Sequence, residues 1–201
     1  MKNKIQFMKS RVLALAIGTV GLFFVIVLTL PSCNSSKPED TKDVAEEQND
    51  AKFESAKEDD AKFLVSAAEI NMDEIQLGQM AQERGTSSHV KELGKMMETE
   101  HSKALDDLKV LAAKKLITIP ATLTDEGMNA NKKLMDTKAS NFDKEYADMM
   151  VSGHKDAISK FEKASTDATD TDIRNWASSM IPVLRMHLEK SITCQKQCEK
   201  M

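Results

Sequence analysis

This chain has little of what most catalytic motifs and most non-helical folds require. Of its 201 residues only seven are glycine, four proline and three cysteine, and aromatic residues make up 4 %. So few glycines leave no Gly-rich phosphate loop and no strained nucleophile elbow. Three cysteines cannot build a disulfide scaffold. The pair Cys194 and Cys198 is not a Cys-x-x-Cys motif, and no histidine follows Cys198, which argues against haem attachment. No stretch sustains the apolar–polar alternation of a strand, so the chain reads as all-α. The net charge of −4 argues against nucleic acid or an anionic lipid surface as partner.

One long hydrophobic run is present, Val12 to Leu30, with Lys2, Lys4, Lys9 and Arg11 before it and Pro31-Ser32-Cys33 after it. Basic residues, an apolar run and a cysteine after Leu30-Pro31-Ser32 have the form of a lipoprotein signal. Residues 1–32 then read as a signal peptide and Cys33 as the lipid-bearing residue. The run is also long enough to span a bilayer uncleaved. Either way the domain is exported and tethered to a membrane. Asn34 stands where an Asp would retain a lipoprotein at the inner membrane, so an outer-membrane address is expected. Residues 33–58 are rich in Asp, Glu, Lys and Ser, a composition expected of a flexible acidic tether.

From Asp59 the apolar residues recur at helical spacing, and residues 59–195 read as an antiparallel four-helix bundle, with a tail at 196–201. Asp59 or Asp60 is placed to cap the first helix, which Gly85 ends. Ser87 or Ser88 opens the second helix, which runs to about Lys115. Thr124-Asp125-Glu126 opens a short extra helix in the connection to the third. Ser140-Asn141-Phe142-Asp143 has the form of a capping box, and Asp170 caps the fourth helix. Two short turns make two hairpins, and the long middle connection joins them. Pro182 lies inside the fourth helix, where it bends the chain and frees the carbonyl of Ser178.

Each apolar stripe is interrupted once. The intruders are Glu74 after Ile70, His101 after Met97, His154 after Met150 and His187 after Leu184. At 1.5 Å rise per residue all four fall near mid-height of their helices. One carboxyl and three imidazoles entering a single core make either a ligand site or a hydrogen-bonded polar layer, because unpaired polar groups there are costly. As a ligand site they would suit one divalent transition-metal ion or a small ligand. His89 lies off the stripe and reads as a surface residue. The 13 methionines raise the question of copper, but core filling by a flexible side chain accounts for them better. Cys194 and Cys198, four residues apart near the C-terminus, read as a terminal disulfide clip or as two idle thiols.

The stretches Asp60-Ala61-Lys62-Phe63-Leu64, Asp73 to Gly78, Glu100-His101-Ser102-Lys103-Ala104, Leu111 to Lys115, Tyr146 to Val151 with His154, and Ile181-Pro182-Val183-Leu184 with His187 resemble a bacterial family of exported proteins. It is catalogued as domain of unknown function 4142, often labelled predicted outer membrane protein, and placed with ferritin-like folds. The resemblance covers about residues 59–190 and implies a ferritin-like bundle and export, with no established activity. Di-iron bundles supply Glu-x-x-His from two helices. Here Glu98-x-x-His101 matches once, while Val151 precedes His154 and Leu184 precedes His187 at that spacing. The dinuclear carboxylate set is therefore incomplete, and a mononuclear site is the most these residues make. No motif specific to an enzyme is present. Protein partners and self-association are left open.

Overall fold

The structure is a computed structural model that describes residues 39–200. The leader, Cys33 and the first residues of the expected tether lie outside this range. Among the described residues there are six helices and no strand: α1 (Thr41–Asp50), α2 (Ser55–Arg84), α3 (Ser88–Lys115), α4 (Asp125–Asp136), α5 (Ala139–Asp167) and α6 (Thr171–Cys198). None is long and apolar enough to cross a membrane.

The four long helices form two hairpins, α2–α3 and α5–α6, which pack through α2 on α5 and α3 on α6. Polar contacts at the ends fix the directions. Asp143, at the start of α5, accepts bonds from Thr86 N, Thr86 Oγ1 and Ser87 N in the α2–α3 turn, at 2.9, 2.7 and 2.8 Å. At the other end Asp60, at the start of α2, accepts from Thr169 N, Thr169 Oγ1 and Asp170 N in the α5–α6 turn, at 2.8, 2.7 and 2.8 Å. Each hairpin turn is thus held by a carboxylate from the other hairpin, and the same interval separates Asp60 from Asp143 as separates Thr86 from Thr169. All neighbouring long helices therefore run antiparallel. The one long crossover climbs the outside on α4, which packs on α2 and ends where Arg84 donates to the carbonyls of Leu134, Met135 and Thr137. One long crossover is the topology of ferritin-like bundles.

These clamps correct two expected caps. α2 starts at Ser55 without a side-chain cap, and α5 starts at Ala139 likewise. Asp60 and Asp143, read as local capping residues, serve the opposite hairpin instead. Ser87 and Asp170 cap α3 and α6 as expected.

α2 and α3 approach closely at Gly78 and Gly94. A Cβ on Gly78 would lie 2.6 Å from the Gly94 carbonyl oxygen, and a Cβ on Gly94 would lie 2.6 Å from that of Gly78. Only glycine lets the two backbones meet at this distance.

Part of the stretch read as a tether is helical. Asp40 caps α1 by accepting from Lys42 N at 2.9 Å and also accepts from Asp125 N at 2.8 Å. Asn49 exchanges two bonds with the backbone of Thr118, at 2.7 and 2.8 Å, and Lys42 pairs with the buried Glu69 at 3.0 Å. Side-chain latches, with Ala45 as the buried apolar contact, hold α1 against α2 and the crossover.

Pro182 and Ser178 are exposed, so the carbonyl that Pro182 leaves without its helical donor lies on the outer face of α6. The core lies in two apolar clusters. One, at the α5–α6 turn, includes Leu64, Ala68, Leu108, Phe161, Ile173 and Leu184. The other, at the α2–α3 turn, includes Leu77, Val90, Met97, Phe142, Tyr146, Met150 and Cys194. On every long helix the residues between the two clusters contain one of the four stripe intruders.

Candidate metal centre

His101 from α3, His154 from α5 and His187 from α6 are each 1 % exposed and meet at that level. Their ring centroids form a near-equilateral triangle, 5.5, 5.1 and 5.3 Å on its sides. The stripes bring them together because each histidine continues the register of the apolar residues one turn away, and these pack at both ends of the bundle.

Each ring has one nitrogen bonded and one facing the other rings. His101 Nδ1 donates to Asn71 Oδ1 at 2.9 Å. The amide of Asn71 is oriented by its own Nδ2, which donates to the carbonyl of Ala67 at 2.7 Å, so the oxygen must face His101. His154 Nδ1 donates to the carbonyl of Met150 at 2.8 Å, and His187 Nε2 donates to Glu100 Oε2 at 2.8 Å. All three partners are acceptors, so each outer nitrogen carries the proton and each inner one, His101 Nε2, His154 Nε2 and His187 Nδ1, carries a lone pair. These inner nitrogens are buried and without a hydrogen-bond partner. One ligand atom from each ring lies within 4.8 Å of the other two, close enough to hold a metal ion.

Protonating His101 or His154 would not resolve the conflict. Burial holds His101 well below the usual imidazole range, reinforced by His154 and His187. Burial likewise lowers His154 to about 4, against the raising effect of its Met150 bond. Three lone pairs that face one another in a buried layer are an arrangement a cation relieves.

Glu74 is in the same layer but outside this cluster. Its Oε1 lies 3.7 Å from His154 Nδ1, on the side of the ring already bonded to Met150, and Oε2 is without a partner. Burial pushes its carboxyl up to about 8, and the charge of Asp73 adds to this. The Tyr146 hydroxyl is also buried and unpartnered; burial raises it well above its usual range, with Glu74 and Cys194 contributing. Of the four stripe residues, the structure thus brings three together as candidate ligands and sets Glu74 beside them.

Two residues that orient the rings escaped the stripe argument. Glu100, next to His101 in sequence, turns toward α6 and bonds His187. Asn71, three before Glu74 and four after Ala67, lies on the buried face of α2, and that spacing was the available signal. Glu98 of the Glu-x-x-His stretch instead accepts from Gln79 at 2.8 Å and Gln82 at 2.7 Å, away from the rings. His89 is exposed, as expected. Cys194 and Cys198 are free thiols, Cys194 buried.

A bundle with one long crossover and a layer of three facing imidazoles defines a class: a ferritin-like fold with a histidine-lined centre in place of a carboxylate one. The chain belongs to the family described as Domain of unknown function (DUF4142), whose pattern matches residues 45–193. The match begins inside α1. No curated protein and no solved structure matches the chain.

Proposed function

We propose that this protein binds one transition-metal ion through His101 Nε2, His154 Nε2 and His187 Nδ1, as an envelope lipoprotein anchored at Cys33. The observation that carries the metal reading is the set of three buried lone pairs, each aimed inward because the opposite nitrogen of its ring is bonded to an acceptor. Metal-bound histidines characteristically give their second nitrogen to a carboxylate or carbonyl, which fixes the tautomer. Asn71, Met150 and Glu100 supply those acceptors. Neutral imidazoles suit zinc, copper, iron or nickel, and three of them leave an open position on the ion. A bound ion there would act as a Lewis acid toward a small ligand in that position.

The test is metal content after tag-free purification and exposure to zinc, in the wild type and in His154→Leu. One ion per wild-type chain and none in the variant is expected; no ion retained by the wild type overturns the reading. The anchor has its own test: mass spectrometry of the wild-type chain should find Cys33 as the first residue and carrying lipid, and a chain that retains residues 1–32 without lipid on Cys33 contradicts lipidation as the anchor.

A second reading is favoured by the bonds that cross between helices, His101 to Asn71 from α3 to α2 and His187 to Glu100 from α6 to α3. They suit a layer that fixes helix register for an interaction module. Replacing all three histidines by leucine discriminates, because an interaction module would keep its envelope phenotype.

A further inference from the structure

Cys194 and Cys198 have no part in the histidine site. Cys194 is seven residues beyond His187 on α6, roughly 10 Å along the helix. The cysteines continue the stripe of His187 and Ser191, and Cys194 hydrogen-bonds the thiol of Cys198 one turn on. Cys194 lies in a groove of about 330 Å³ between α3 and α6, where His89, Glu92 and Met96 face Thr193 and Gln197. Met96 lines this groove together with Cys194, and Cys198 packs against the apolar cluster to which Cys194 belongs. Among the described residues no imidazole or carboxylate joins the two thiols in a three-ligand cluster. The soft donors here are the Cys194 thiol, the Cys198 thiol bonded to it and the Met96 thioether that lines the groove with Cys194. That set is too soft and too small for zinc, which takes four ligands, and it suits copper(I).

We propose that Cys194 and Cys198, with the Met96 thioether across the groove, form a second metal site that takes copper(I) from solution. Binding breaks two S–H bonds, forms three Cu–S bonds, two to the thiolates and one to the Met96 thioether, and releases two protons to solvent. Copper stays in the +1 state, so no oxidant or reductant is consumed. Cys198 is only partly buried, whereas the three histidines are enclosed, so this site is reachable without opening the bundle.

The test is an anaerobic titration of the full, tag-free, reduced chain with copper(I) against a chromophoric chelator, with X-ray absorption at the copper edge. The wild type should withdraw one more equivalent of copper(I) than Cys194→Ser/Cys198→Ser, and its copper should have sulfur neighbours. Cys198→Ser alone, at the end of α6, should also lose that equivalent while keeping its helical circular dichroism. A variant with all three histidines changed to leucine should retain it, which separates this proposal from the histidine reading. Equal copper uptake by the serine variants, or a wild-type copper shell without sulfur, overturns it.

Discussion

Asn71 decides where the proton sits on His101. With its amide nitrogen on the Ala67 carbonyl, only its oxygen faces the ring, and His101 Nε2 is left to point inward. Removing such a partner typically costs a metal site about 10–100-fold in affinity. Asn71→Leu should weaken zinc binding by that order, and Glu74→Gln should leave it nearly unchanged, because Glu74 stands outside the nitrogen cluster. Isothermal titration of both variants checks the pair; a Glu74→Gln variant that loses the ion would make Glu74 a ligand. Asp143 acts by the same chemistry at the end of the bundle. Burial alone would raise its carboxyl, but bonds from Thr86 and Ser87 outweigh that and hold it below its ordinary 3.8. A carboxyl lowered on folding adds stability above its unfolded value and loses it as pH falls through the folded one. Asp143→Asn should therefore cost about 1–3 kcal/mol at neutral pH. The gap to wild type should hold down to about pH 4 and shrink below it, as measured by urea unfolding across pH.

The helices differ in how openly the sequence announces them. α3 and α6 follow one stripe with a capping residue at the expected place, so their extent and inward face are legible. α2 is harder to read, because α1, α3, α4 and α5 all pack on it and its buried face is wider than any single stripe. Its buried Glu69 and Asn71 are answered by Lys42, Thr124 and His101, residues far away in sequence. α1 is invisible to hydrophobic periodicity for the same reason: Asp40 and Asn49 hold it through polar bonds to the crossover. The histidine triad was legible because imidazoles on apolar stripes are conspicuous. Glu74 shared the stripe, but stripe position gives the direction of a Cβ, and a longer side chain can still approach a ring from its bonded side. The contact of α2 with α3 supplies a prediction at this scale. Gly94→Ala places a methyl group 2.6 Å from the Gly78 carbonyl oxygen and 2.8 Å from Ala81 Cβ. Overpacking of this kind costs about 1–3 kcal/mol and exceeds the helix-propensity gain of alanine, so the variant should melt below wild type in calorimetry.

At the scale of the molecule, a polar layer divides the core into two apolar clusters, one at each pair of turns. Such a layer weakens the bundle when its inner nitrogens go unpaired and ties three helices together when an ion joins them. Zinc should therefore stabilise the wild type by about 2.7 kcal/mol at a free concentration 100 times its Kd. The variant with three leucines should melt at the same temperature with and without zinc; a zinc-dependent shift there would place the ion elsewhere. The most direct measurement is X-ray absorption at the zinc edge of the loaded wild-type chain. The three-imidazole centre predicts nitrogen neighbours at about 2.0–2.1 Å with the multiple scattering of three imidazole rings. A shell dominated by sulfur, or by oxygen with fewer than two imidazoles, would contradict it.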